Sequence, residues 1–306
     1  MIIRTCKRAI HKPATHISRL FRPLILVTLS LLLLPCQAHS ETNPTEPIRF
    51  GVLSIAPPAR ILAKWQPFAD YLSVKLGHPV EIVVPRGFGR MKEAVTKGQV
   101  DFFYINSHVF YRLKQVGQAI GVAQMQNLDG KTTSRSEIFV RSDSGISDIS
   151  DLKGKQIAFI SPMGAGGYLA PRAYLRSHGV KSGDEVDETF TRNLSTSIHK
   201  VLLKETGAAS MCGVNFRLMG EKVDTGELKI IAASDEYPEN LIAARADLDP
   251  KQVGRFRQII VTMQDDPEGF GVLTGMTAMK IRRFLPYDPA MEDITRKLLE
   301  QAGLKS

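Results

Sequence analysis

The chain has 306 residues, 43% of them hydrophobic and 23% charged, enough for one large or two medium globular domains. Its formal charge of +9 is concentrated at one end. Residues 1–40 carry six bases and no acid, so 34 Lys and Arg face 31 Asp and Glu in the remainder, a net +3. That residual charge is too small for the basic footprint of a nucleic-acid binder.

Residues 1–23 form a basic leader, and Leu24–Leu34 is an apolar run interrupted only by Thr28 and Ser30. Eleven residues cannot cross a bilayer, which takes roughly 20. The pattern fits a secretory signal over 1–40, cleaved after Ala38 or Ser40, and places the mature chain in the periplasm. Cys36 also raises a lipid anchor, although Pro35 stands where a small residue normally precedes an acylated cysteine. Beyond the leader only Cys212 remains, which rules out an internal disulfide; in its apolar setting it reads as a buried filler.

From residue 46 onward, short apolar runs alternate with amphipathic stretches. Residues 48–54 read as a strand. Over 59–76, Ile61, Trp65, Phe68, Leu72 and Leu76 share one helical face, and Gly77 stops the helix. Strands follow at 80–85, 102–105 and 120–125, with helices at 89–97 and from Ser107, as N-cap, to 116. The pattern then restarts: strands at 135–141, 156–160, 188–192, 208–214, 228–233 and 241–245, and helices at 164–177, 197–205, 250–262 and 289–302. Pro171 predicts a kink or break in the first turn of the 164–177 helix. Such alternation predicts α/β architecture with parallel sheets. Polar, turn-rich segments at 127–134 and 234–240 divide it into a first lobe of 46–130 plus 234–306 and a second of 131–233. Two crossings would make a hinge, with a ligand cleft between the lobes.

Catalytic signatures are missing from the sequence. His78, His108, His178 and His199 are scattered, with no HExxH, CxxC or GxSxG, and Gly164–Gly167 lacks the Lys-Ser/Thr of a phosphate loop. No metal or cofactor is expected, and no enzymatic activity.

An ordered series of stretches resembles the periplasmic binding proteins of phosphonate, phosphite and phosphate ABC importers. It runs from RFGVL at 49–53 and Trp65-x-Pro67-Phe68 through GQVDF at 98–102, DLKGK at 151–155 and GYLAP at 167–171 to LDP at 248–250 and DDPEG at 265–269. The resemblance implies a type II periplasmic-binding-protein fold, two α/β lobes joined by a two-crossing hinge that closes on a small anion. It also implies an inner-membrane ABC permease as partner, a monomer, and no nucleic acid. The same fold can instead report to a membrane histidine kinase or chemoreceptor.

The resemblance further implies an oxyanion held at a helix N-terminus, where backbone N–H groups and the helix dipole favour negative charge. The hydroxyl positions of the family fall here on Gly164, Ala165 and Gly166, after Met163, and its anion-binding histidine falls near Leu194. A backbone nest remains. Asn193 and Ser195 are candidate replacement donors, with Arg192 beside them, although Ser197 reads as a helix cap. In the first lobe Tyr104, Asn106 and Ser107 stand at the end of a strand, where open α/β sheets bind ligands. Arg86 is placed to pair with a carboxylate, sulfonate or phosphonate. The expected ligand is phosphonate- or phosphate-like, or another small organic anion.

Overall fold

The computed structural model describes residues 46–53 and 58–305. The signal, its cleavage sites and Cys36 lie outside the described residues. In chain order the elements are β1 (Ile48–Val52), α1 (Pro58–Leu76), β2 (Val80–Val83), α2 (Gly87–Thr96), β3 (Phe102–Ile105), α3 (Ser107–Gln115), β4 (Ala119–Gln126), β5 (Thr133–Ser134), β6 (Ser136–Arg141), β7 (Gln156–Phe159), α4 (Ala170–Ser177), β8 (Asp187–Phe190), α5 (Leu194–Leu202), β9 (Ala208–Cys212), α6 (Gly213–Gly220), β10 (Leu228–Ala233), β11 (Tyr237–Pro238), β12 (Leu241–Arg245), α7 (Pro250–Val261), α8 (Pro267–Met276), β13 (Arg283–Pro286) and α9 (Ala290–Gln301).

Two sheets organise the chain. The first has the order β13-β4-β12-β3-β1-β2 and the second β10-β6-β9-β7-β8. Neither is wholly parallel, which corrects the expectation of parallel sheets. β2, β1 and β3 run parallel, but β12 inserts antiparallel between β3 and β4. In the second sheet β8, β7 and β9 are parallel, while β6 runs antiparallel to both of its neighbours, β9 and the edge strand β10. The reason is topological: β12 arrives from the second sheet rather than through a crossover helix, so no handed βαβ unit fixes its direction.

Adjacent residues of one strand serve opposite faces, as the period of two requires. Phe102 points to one side of the first sheet and stacks on Phe256 of α7, with ring centroids 3.8 Å apart. Phe50, Trp65, Phe68 and Phe284 complete that aromatic core. Phe103, one residue on, faces Met91, Val109 and Leu113 of α2 and α3. In the second sheet, Ile157 and Phe159 face Tyr168 and Leu175, while Ala158 faces Ile198 and Val201 of α5.

Between the sheets the chain passes twice, and the two passages lie side by side. β5 pairs antiparallel with β11. Further bonds join the Glu239 N–H to the Thr132 carbonyl (2.9 Å) and the Ser234 N–H to the Ser136 carbonyl (2.8 Å). Thr133 Oγ1 donates to Glu236, and Ser134 Oγ and Asn127 Nδ2 both donate to Oε1 of the buried Glu239. α9 contacts elements packed on both sheets, resting against α4 and α3, and Arg172 Nε donates to the Ala302 carbonyl after it.

Helix starts depart from expectation at three places. Asn106, not Ser107, caps α3, its Oδ1 accepting from the Val109 N–H at 2.9 Å. Asn193, not Ser197, caps α5 by accepting from the Thr196 N–H, so α5 begins three residues early. The predicted 164–177 helix is two pieces: a π-helical turn, Ala165–Leu169, running into α4 with Pro171 in its first turn. The wide turn accommodates the break that proline demands, because its ring lies where no intrahelical N–H is needed.

Candidate functional site

The parallel strands of both sheets end at a common cleft of about 340 Å3. Val52 and Leu53 after β1, and Tyr104–Asn106 at the end of β3, form the first wall with Arg60, Lys64 and Trp65 of α1. The opposite wall holds Ala165–Gly167 of the π-turn, Cys212 at the end of β9, and Asn215, Leu218, Met219 and Lys222 on and beyond α6. Tyr237, Glu239 and Asn240 from the return passage form the floor, and Ala278–Lys280, in the turn before β13, closes one side. Loops at strand ends converge here because every parallel strand delivers its following loop to the same edge.

Of the residues singled out from sequence, four line this cleft: Tyr104, Asn106, Ala165 and Gly166. The Tyr104 hydroxyl is already engaged, accepting from Asn240 Nδ2 at 3.1 Å and lying 2.9 Å from Met125 Sδ, and its ring packs 4.8 Å from Trp65. Burial pushes its phenol well above the ordinary range, so it enters the cleft as a neutral group. Asn106 uses both ends of its amide: Oδ1 caps α3, and Nδ2 donates to the Met163 carbonyl at 3.1 Å, bridging the two walls. The other six stand elsewhere. Met163 and Gly164 lie behind the lining, Met163 offering that carbonyl. Ser107 Oγ donates to the Pro238 carbonyl and ties α3 to the return passage. Asn193 caps α5, and Ser195 faces His199 at 3.4 Å along that helix. Arg86 is exposed at the start of α2 and is not among the lining residues. Leu194 itself lines the cleft, so an apolar side chain occupies the position where the resemblance places a histidine.

Gly166 is required by packing. A Cβ there would fall inside the hydroxyl and ring of Tyr237, and Ser136 Oγ donates to the Gly166 carbonyl from behind. Tyr237 thus occupies the space where a side chain would go, and the π-turn meets the cleft at Ala165–Gly167 with nothing larger than a methyl group. Cys212, read from sequence as filler, is buried yet also lines the cleft beside Tyr237.

Several lining residues were not legible in the sequence, and four of them are cationic. Arg60, Lys64, Lys222 and Lys280 line the cleft together with one carboxylate, Glu239. Lys280 differs from the other three, which are exposed, in being half-buried. Burial holds its ammonium below the usual lysine range, with Cys212 and Glu239 opposing the shift. At the seam between the walls, His108 is buried with both ring nitrogens unpartnered. Burial lowers its pKa to about 4, the Arg112 charge adding to the effect and the Gly164 backbone opposing it.

Comparison with known proteins gives the chain a family. The family described as "ABC transporter, phosphonate, periplasmic substrate-binding protein" matches residues 50–291. The phosphonates-binding periplasmic protein of Escherichia coli is 25% identical over 260 residues, covering 81% of this chain and 74% of its own. The tetrathionate sensor histidine kinase TtrS of Salmonella typhimurium is 32% identical over 145 residues, which is 46% of this chain but only 24% of the kinase. Among solved structures, PhnD1 from Prochlorococcus marinus in complex with methylphosphonate superimposes with a TM-score of 0.73 at 15% identity, covering 85% of this chain and 99% of that one. The aliphatic sulphonate binding protein SsuA from E. coli gives 0.56 at 14% identity. At such identities the structural likeness establishes the type II periplasmic-binding fold. With the match spanning nearly all of the described residues, the chain belongs to the periplasmic substrate-binding proteins of phosphonate ABC transporters.

Proposed function

We propose that the chain is a hinged clamp, with lobes 46–130 plus 234–306 and 131–233, that takes a small organic anion between its sheets and presents it to an inner-membrane permease. The observation that carries this reading is the cleft: walls from both sheets, four cations to one carboxylate, and backbone N–H groups at a helix start. A ligand touching both walls binds the closed arrangement better and shifts the population toward it. The names of relatives support an anion, since phosphonates, methylphosphonate and tetrathionate all are. Tyr104, Asn106, Ala165 and Gly166 are the ligand contacts we assign among the residues first singled out. Export through the 1–40 signal to the periplasm belongs to the same reading.

The test is a thermal-shift screen over phosphate, alkylphosphonates, sulfonates and small carboxylates. A ligand at 100 times its dissociation constant stabilises by about 2.7 kcal/mol, which moves the unfolding midpoint measurably. A shift with any of these organic anions supports the reading; no shift with any of them overturns it.

A sensory role is the second reading, favoured by the 32% identity to the kinase over 46% of this chain. The loaded protein would then stimulate autophosphorylation of a membrane kinase in proteoliposomes, rather than ATP hydrolysis by a permease.

A further inference from the structure

His108, the second residue of α3, is 2% exposed, and neither of its ring nitrogens makes a hydrogen bond. A neutral imidazole carries one donor and one acceptor, so both go unmet, at a cost that an apolar side chain would not bring. The buried residues that follow it, Val109, Phe110 and Leu113, are apolar, and Ser107 before it is bonded to Pro238. Packing alone therefore does not call for a histidine.

The ring stands where the lobes touch outside the connecting strands. Two residues before it, Asn106 Nδ2 reaches the Met163 carbonyl of the second lobe at 3.1 Å. The Gly164 backbone lies beside the ring without closing a hydrogen bond. One turn along α3, Tyr111 packs with Ala165 and Leu169 of the π-turn in a single buried cluster. Closure of the lobes dries this seam, and opening returns the ring to water.

No charged group at the seam would welcome a second proton. Arg112, on the same helix, is the one charge acting on the ring, and it opposes protonation, as does the position of His108 at the helix start. The elements packed on α3 are α2, β4, α9 and the π-turn. Glu93 of α2 pairs with Arg90 and Lys97. Glu292 of α9 is held by Lys114 and Tyr287. β4 brings the uncharged Gln124, which donates to the Thr132 carbonyl. The π-turn brings Tyr168, whose hydroxyl donates to Glu188. On the return passage, Glu239 accepts from Ser134 and Asn127.

Resting on the clamp reading above, we propose that His108 is a proton-sensitive latch: the closed seam accepts only the neutral ring, so acid opens the lobes and releases the ligand. In the acid range the open form holds a proton that the closed form refuses, and closure on a ligand expels it.

Calorimetric titration with butylphosphonate between pH 7.5 and 5 tests the latch in the unaltered chain, His108→Gln and His108→Phe, with circular dichroism recording the fold at each pH. The ratio of the dissociation constants of unaltered chain and variant cancels the titration of the ligand itself. That ratio is constant above about pH 6.5 and rises by about tenfold at pH 5. In buffers of different ionisation enthalpy at pH 5, the unaltered chain releases about one proton more per ligand bound than either variant. A ratio that stays flat to pH 5, with equal proton release, overturns the latch and leaves the clamp reading standing. An unaltered chain that does not bind at any pH overturns the clamp reading, and the latch with it.

Discussion

The two walls of the cleft are built by opposite means. The first wall is made of side chains: Trp65 of α1, Tyr104 and Asn106 at and after the end of β3 and, from the turn before β13, Lys280, with an aromatic core behind them. The second is made largely of backbone where Ala165, Gly166 and Gly167 meet the cleft, and its shape is set by Tyr237 pressing against Gly166. A side-chain wall can be altered one functional group at a time. A backbone wall offers donors that substitution cannot remove, but at Gly166 and Gly167 an added Cβ meets Tyr237 and Ile160. The contrast explains how the hydroxyl positions of the family can be Gly, Ala and Gly here without emptying the cleft of hydrogen-bond donors.

The comparison breaks most sharply at Gly166. Gly166→Val drives a branched side chain into Tyr237, and overpacking of this kind costs about 3 kcal/mol in chemical denaturation. A stability equal to that of the parent protein would mean that the second wall is not held by this contact.

Acid tests the seam. His108 has its pKa lowered from 6.5 to about 4 by burial, so its neutral form is the one the fold stabilises. Its contribution is fully present above about pH 6.5 and is lost as pH falls toward 4, by up to about 3 kcal/mol. His108→Phe flattens the stability profile in that window. A variant that keeps the full acid sensitivity would assign the loss to other groups.

Smaller effects sharpen the picture of the first wall. Asn106→Ala removes a cap from α3 and the bond to the Met163 carbonyl, costing about 1–2 kcal/mol. Ser107→Ala leaves the cap in place and loses only the bond to Pro238, so it costs less. The reverse order would return the capping role to Ser107.

Much of the fold was legible because it is local. The face Ile61, Trp65, Phe68, Leu72 and Leu76 gives α1 within a residue of its start, and Gly77, at φ 73°, terminates it as its type implies. What the periodicity could not give is non-local. β12 reads plainly as a strand, but nothing in LIAAR says that it inserts between β3 and β4. The first two residues of α6 fall in the strand expected over 208–214, and the rest of the helix was not expected, because it starts directly after Cys212 with no side-chain cap. α8 was missed although Asp266 caps it and Pro267 opens it, because three glycines blur its pattern. For the site, strand-end residues such as Tyr104 and Asn106 could be picked from order along the chain. Lys280 could not, since its place in the cleft comes from a left-handed turn that only the assembled fold brings there. Arg86 shows the converse: a cation at a strand end that the fold leaves exposed.

The single tryptophan of the chain, Trp65, lines the cleft beside Tyr104. Its fluorescence therefore reports directly on whether an anion enters between the walls. Titration with butylphosphonate is predicted to give a saturable change in Trp65 emission, with the same dissociation constant as calorimetry. Binding seen by calorimetry with Trp65 emission unchanged would place the ligand elsewhere and contradict the assignment of this cleft.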